Sequence, residues 1–259
     1  MTVSLKEYLG ELIGTFILVL FGCGSVAVAV LYDGFGSLLE VALIWGLGVA
    51  LAIFSVRNVC PAHLNPAVSI AMTLNKKLDL KKLLPYVISQ LIGAFLAGIF
   101  IYFIFGPSIH IYEVANGIER GSVDSYRSAV MFGEFFPNPG FEKNIKISAL
   151  AAMALEGLGT LILVFAIFRL TEKKDQMDNL TPIFIGLTVT LIICLVAPFT
   201  QAGLNPARDF GPRMVAYLSG WKLAAFPNPS YSFFSVYILG PVVGGILGGW
   251  IHRLLKGQT

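Results

Sequence analysis

One tripeptide occurs twice in this chain, 140 residues apart and each time in an apolar stretch, as Asn65-Pro66-Ala67 and Asn205-Pro206-Ala207. Asn is favoured at a helix N-cap and Pro at the first helical position, so each triplet predicts a helix start. A helix that starts inside a membrane leaves unpaired N–H groups and a partial positive charge at that depth. Because this is tolerated only where the backbone is buried in protein or lines a water-filled cavity, the duplication indicates a pore or carrier with two related halves.

Composition also places the chain in a bilayer. Hydrophobic residues make up 56% of it and charged residues only 13%, against about 25% charged in soluble proteins.

The net charge of +3 is small and spread over loops, so we expect no nucleic-acid partner. Cys23, Cys60 and Cys194 match neither a metal site nor a disulfide framework, and we expect no metal or cofactor. The first apolar segment contains Glu11 and no convincing cleavage site, which favours a retained span over a signal peptide.

Six stretches reach the roughly 20 apolar residues that a membrane span needs: about 8–31, 38–56, 83–105, 148–169, 180–199 and 232–251. Two shorter apolar pieces, 65–75 and 205–217, begin at the two triplets. A helix of roughly 11 residues rises only about 16 Å, half of the bilayer core, so each piece can enter only halfway. The predicted fold is an all-α membrane protein with six transmembrane helices and two half-helices.

The two halves also share a second pattern. The sequence Glu-X-X-Gly-Thr at Glu11–Thr15 recurs at Glu156–Thr160, an offset of 145 residues. Three spans per repeat is an odd number, so the second repeat is predicted to be inverted, with the half-helix N-termini meeting near the midplane. The single channel domain, 1–259, then divides into repeat one at about 5–105, an external loop at about 106–147, and repeat two at about 148–255.

Basic residues predict the orientation in the membrane. Eleven lie on one predicted side and seven on the other, which favours both termini in the cytoplasm of a multi-pass cell-membrane protein. The eleven are Lys6, Arg57, Lys76, Lys77, Lys81, Lys82, Arg169, Lys173, Lys174, Arg253 and Lys256.

The motifs resemble those of the aquaporin, or major intrinsic protein, family over essentially the whole chain. The runs that carry the resemblance are Ala-His-Leu-Asn-Pro-Ala-Val at 62–68 and Gly-Leu-Asn-Pro-Ala-Arg-Asp-Phe-Gly-Pro at 203–212. Asp209 directly after Arg208, Arg213 beyond it, and Trp45 resemble the glycerol-facilitator branch. The stretches 120–124 and 136–139 of the external loop do so too.

This resemblance implies roles for the paired residues. Asn65 and Asn205 would face each other in the pore, each capping a helix with its oxygen while its amide nitrogen is free to donate to a passing hydroxyl; the plain alternative is that each only caps. Arg208 would form the narrow external filter rather than an interfacial side chain. Glu11 and Glu156 would hold the irregular backbone before each half-helix, with a proton relay as the alternative.

The resemblance also implies a pore wall made of backbone carbonyl groups. The residues expected to supply it are Pro61, Ala62, His63, Leu64, Gln201, Gly203 and Leu204. His63 matches this segment, so a role as a metal ligand or proton carrier is disfavoured.

The expected filter departs from the usual pattern of the branch, which is Trp, Gly, Phe and Arg. Ungapped matching back from Asn205 gives Trp45, Ile193, Ala202 and Arg208. Pro61 replaces a usual Gly, and Tyr237-Ile238 stands where Pro-Leu is more common. A filter with one aromatic and no His should be more apolar than that of a strict water channel.

The leading hypothesis is therefore a passive channel for glycerol, related small uncharged solutes and water that excludes ions and protons and is not an enzyme. A mainly water-conducting channel is one alternative. An ion-coupled inverted-repeat transporter is another, although Glu11 and Glu156 are its only candidate coupling groups. The resemblance implies a homotetramer in the lipid bilayer.

Overall fold

The computed structural model describes residues 3–172 and 179–257, and all regular structure in those ranges is helical. Lys173 and Lys174, two of the cations counted for the orientation, lie outside the described residues. The α-helices are α1 Val3–Tyr32, α2 Leu38–Val56, α3 Pro66–Leu74, α4 Leu80–Ala115, α5 Tyr126–Ala129, α6 Ala149–Leu170, α7 Thr181–Thr200, α8 Pro206–Ala216 and α9 Gly240–Lys256. Wider π-helical turns cover Tyr217–Trp221 and Phe234–Leu239, and 3-10 turns cover Val123–Ser125 and Lys222–Ala225.

Six of these helical segments are long and apolar enough to cross a membrane, by length and composition. They are α1, α2, α4, α6, α7 and the continuous segment Phe234–Lys256. The short helices α3 and α8, of 9 and 11 residues, begin directly after Asn65 and Asn205. The predicted all-α fold with six spans is confirmed.

One predicted boundary is wrong. Helix α4 continues to Ala115, so the connection between α4 and α6 begins ten residues later than position 106, where the external loop was expected to begin. Gly106 and Pro107 directly follow the expected end of this span, and a Pro inside a helix removes a backbone hydrogen bond. Tertiary contacts outweigh that loss, because Ile109 is fully buried and Ser108 shares a 2.7 Å hydrogen bond with Tyr32 at the end of α1.

The helices of the two halves have corresponding neighbours. Helix α1 packs against α2 and α4, and α6 packs against α7 and α9. Each short helix packs against a long helix of the other half, since α3 packs on α9 and α8 packs on α4. Helix α2 contacts α7 in the same way. This arrangement brings the starts of α3 and α8 into the centre of the bundle.

Small residues permit the contact between α2 and α7. A Cβ atom on Gly46 would lie 2.5 Å from the carbonyl oxygen of Gly186, closer than real side chains approach, and the converse also holds. The backbones can meet there only because both residues are glycine, as is common between membrane helices.

Candidate functional site

Each triplet forms the helix start that the sequence predicts. Asn65 has extended backbone, and its Oδ1 accepts from the Ala67 N–H at 2.8 Å. Asn205 accepts from the N–H groups of Ala207 at 3.0 Å and Arg208 at 3.3 Å. Both side chains therefore satisfy orphan donors at the N-termini of α3 and α8.

The two caps are also bonded across the centre of the molecule. The amide nitrogen of Asn65 donates to the Leu204 carbonyl at 3.0 Å, and that of Asn205 donates to the Leu64 carbonyl at 2.8 Å. One N–H of each amide nitrogen is therefore already bonded to the backbone of the other half. An amide carries two N–H groups, so one donor per Asn remains for a solute.

Two buried carboxylates hold the loops that precede the short helices. The Glu11 carboxylate accepts from the N–H groups of His63 at 2.8 Å and Leu64 at 2.7 Å. Glu156 accepts from those of Gly203 at 2.9 Å and Leu204 at 2.7 Å. Both glutamates are fully buried, and neither lines the cavities described next.

Left-handed backbone makes these loops unusual. Ala62 and Leu64 have φ of 53°, and Ala202 and Leu204 have φ of 61° and 57°. Non-glycine residues adopt this conformation at a cost of about 1–2 kcal/mol each, so it persists only where neighbours impose it. The carboxylates of Glu11 and Glu156 supply part of that constraint.

A cavity of about 660 Å³ runs along the loops and the starts of the short helices. Among the residues that the sequence predicted for the pore, it is lined by Trp45, Pro61, Ala62, His63, Leu64, Asn65, Ile193, Ala202, Gly203, Leu204, Asn205 and Arg208. A second cavity of about 360 Å³ is lined by Gln201 together with residues of the connection between α4 and α6 and of the neighbouring helices.

Three residues line both cavities and therefore lie where the two meet: Trp45, Ile193 and Arg208. The guanidinium carbon of Arg208 lies 4.0 Å from the centroid of the Trp45 ring. Ala202 lines only the larger cavity. The place where the cavities meet thus has an aromatic side chain, an aliphatic side chain and a cation, all at most 5% exposed.

Sequence reasoning missed one residue here, Glu134, which lies in the connection between α4 and α6, after α5. Its carboxylate forms an ion pair with Arg208, and the side chain is buried and lines the second cavity. Burial raises the pKa of the Glu134 carboxyl to about 8, and Arg208 opposes that shift. An acid among apolar residues of an otherwise uncharged stretch, Val130–Asn138, is the signal that could have found it.

Asp209 and Arg213, which the sequence marked only by resemblance, form a fully buried pair in α8 at 2.8 Å. They line neither cavity. Gln201 binds the connection between α4 and α6, since its side-chain oxygen accepts from the Phe135 N–H at 2.7 Å. Tyr237 donates to the Thr200 carbonyl at 3.0 Å behind the second loop.

Comparison with known proteins gives consistent matches. The sequence matches the family described as major intrinsic protein over residues 1–252. It is 37% identical to the glycerol uptake facilitator protein of Haemophilus influenzae over 254 residues, covering 96% of this chain and 94% of that protein. Identity to the glycerol uptake facilitator protein of Escherichia coli K12 is 38% over 261 residues, covering 99% and 90%. The X-ray structure of the aquaglyceroporin from Plasmodium falciparum superposes with a TM-score of 0.80 at 26% identity, covering 98% of this chain and 99% of that one.

Proposed function

Because the chain belongs to the major intrinsic protein family, and is thus a membrane channel and not an enzyme, we propose that it conducts glycerol, related small uncharged solutes and water by passive flow. The observation that carries this proposal is that Trp45, Ile193 and Arg208 line both cavities, and the proposal takes the place where the cavities meet as the constriction of the path. Its relatives named glycerol uptake facilitators support the same solute.

The walls of this constriction suit a polyol. The Trp45 ring and the Ile193 side chain offer apolar surface to the carbon chain, and Arg208 offers hydrogen-bond donors to hydroxyl oxygens. Beyond it, the remaining amide N–H groups of Asn65 and Asn205 donate to the next hydroxyl. A polyol therefore meets apolar side chains beside its carbon chain and hydrogen-bond donors beside its hydroxyl groups as it moves along the path.

The buried acids argue against an ion-coupled carrier. Coupling would need Glu11 or Glu156 to bind and release a cation, yet both oxygens of each carboxylate accept from backbone N–H groups.

We also propose that the halves are inverted repeats and that both termini are cytoplasmic. The resemblance to the family supports a homotetramer.

The experiment that tests the channel is light scattering by vesicles containing the purified protein, with glycerol and water fluxes measured separately. Ile193→Trp fills the constriction, so glycerol flux should fall to that of empty vesicles. The matched control is Leu191→Trp, which adds the same indole to α7 at a side chain that is 66% exposed on the bundle surface. We expect it to leave the flux unchanged.

Three outcomes would count against the proposal. If wild-type vesicles pass glycerol no faster than empty ones, the glycerol channel is excluded. Fast water flow with no glycerol flow would favour the mainly water-conducting alternative. Unchanged glycerol flux in a well-folded Ile193→Trp would show that the path lies elsewhere.

A further inference from the structure

Gly22 of α1 lies directly against the indole ring of Trp45 in α2. A Cβ atom on Gly22 would lie 2.1 Å from Cζ3 of that ring and 2.2 Å from Cε3 and Cη2, far inside the ordinary contact range that begins at 3.4 Å. Both residues are buried. The ring therefore packs on the backbone of α1, and only a glycine at position 22 leaves room for it.

Position 22 needs glycine for this space and not for backbone freedom. Helix α1 is continuous from Val3 to Tyr32, and alanine is favoured over glycine inside a helix. Helix propensity alone would therefore disfavour the residue that stands there. The contact with Trp45 accounts for it.

Helix α2 is also held on the side away from α1. A Cβ atom on Gly46, the residue after Trp45, would lie 2.5 Å from the carbonyl oxygen of Gly186 in α7. One turn away, Thr190 of α7 donates to the carbonyl of Ala42 at 3.1 Å. Because the two backbones already touch, α2 as a whole has no room to move away from α1.

The Trp45 ring has open space on its other side, because it lines both cavities. The guanidinium carbon of Arg208 lies 4.0 Å from the ring centroid. A side chain at position 22 would need roughly 1.3 Å of additional room, the shortfall between 2.1 Å and 3.4 Å. With α2 held by α7, that room comes from moving the ring toward the cavities.

We propose that Gly22 is a positioning residue of this channel. Because it has no side chain, it sets how far the Trp45 ring projects into the path, and hence the width that a solute meets there. The inference rests on the proposed function and deepens it, since it assigns the width of the path to a residue that lines neither cavity.

The experiment measures the ratio of glycerol to water permeability in vesicles containing the full chain with Gly22→Ala. Displacement of the ring narrows the path, and glycerol is wider than water, so we expect the ratio to fall about tenfold, the usual effect of one methyl group in a pocket. The matched control is Gly24→Ala in the same helix, where a Cβ atom would lie 3.6 Å from Cδ1 of Ile101, an ordinary contact. It should leave the ratio unchanged.

A second background separates positioning from a general loss of structure. Trp45→Leu removes the ring that the new methyl group would displace, so in this background Gly22→Ala should change the ratio by less than about twofold. An equal fall in both backgrounds would overturn the inference, as would an unchanged ratio in folded Gly22→Ala. Failure of the proposed function looks different, since wild-type vesicles would then pass no more glycerol than empty ones.

If Gly22→Ala does not fold, the comparison moves to Trp45→Phe with and without Gly22→Ala. The smaller ring relieves part of the overlap but still faces position 22. The ratio of glycerol to water permeability should be lower in the double variant than in Trp45→Phe alone. An equal ratio, or a double variant that also fails to fold, would overturn the inference.

Discussion

At the scale of single residues, the constriction differs from the usual glycerol-facilitator pattern at two positions whose effects oppose each other. Ile193 places a branched side chain where that pattern has none, and Ala202 places a methyl group where it has an aromatic ring. Ile193 lines both cavities and Ala202 only the larger one, so Ile193 lies where the cavities meet and Ala202 lies to one side of that place. Relative to the usual pattern, Ile193 takes up space and Ala202 leaves space, so the two changes partly compensate in the volume of the path. They act at different positions along it.

Ile193→Gly should therefore widen the passage and admit longer linear polyols. The expected rise in erythritol or ribitol flux is about tenfold, the usual effect of a small change in pocket volume. Ala202→Phe should narrow the inner side and slow glycerol relative to water. Both are measured as flux ratios in vesicles, with thermal stability as a control, since Gly inside α7 costs about 1 kcal/mol. If neither ratio changes, the ungapped placement of these residues in the filter is wrong.

Much of this site could be predicted from local pattern, because a helix start is encoded by a few adjacent residues. Asn65 and Asn205 show this, since capping depends on the Asn side chain and the Pro that follows it. Glu134 could not be placed in the same way. Its position depends on Asp209 and Arg213, 75 and 79 residues away along the chain, which bind its backbone and not its side chain.

At the scale of the elements, the short helices depend on loops that contain no regular structure of their own. The loop before α8 holds Ala202 and Leu204 in left-handed conformations, and Glu156 of α6 accepts from the N–H groups of Gly203 and Leu204. Thr200 at the end of α7 donates to the same carboxylate at 2.6 Å. One carboxylate thereby connects α6, α7 and the loop that leads into α8.

Glu156→Gln should lower stability more than it alters selectivity. The amide NH₂ group replaces an acceptor oxygen, so it faces a donor instead of accepting from it, at a cost of about 1–3 kcal/mol. The yield of folded protein in detergent and its melting temperature measure this loss, with Glu142→Gln as the control. Normal stability combined with a newly pH-dependent flux would instead favour a transport role for Glu156.

The presence of each membrane span was easier to predict from the sequence than its length. A run of about 20 apolar residues suffices to indicate a membrane helix, and all six were found. The end of α4 was missed because Pro107 disfavours helix locally, while the buried Ile109 and the contact between Ser108 and Tyr32 lie in tertiary structure. The wider π-helical turn Phe234–Leu239 had no signal in the sequence that we can identify.

At the scale of the whole molecule, the fold brings two helix N-termini together from different halves of the chain. The cross bonds from Asn65 to the Leu204 carbonyl and from Asn205 to the Leu64 carbonyl fix their separation. Each N-terminus carries roughly half a positive charge. If water passes between them, as proposed, the positive potential turns the water oxygens toward the centre and interrupts the hydrogen-bonded chain that a proton would follow.

We therefore predict no measurable proton or Na⁺ conductance. Vesicles containing the protein and a pH-sensitive dye, with the membrane potential clamped, should equilibrate a pH gradient no faster than empty vesicles, while their glycerol flux stays high. Asn205→Asp is the sensitive comparison, since Asp caps a helix as well as Asn does but adds a negative charge and removes the donor to Leu64. It should lower the barrier to cations. Proton flux through the wild-type protein that rises with the pH gradient would show that the paired helix N-termini do not form the barrier.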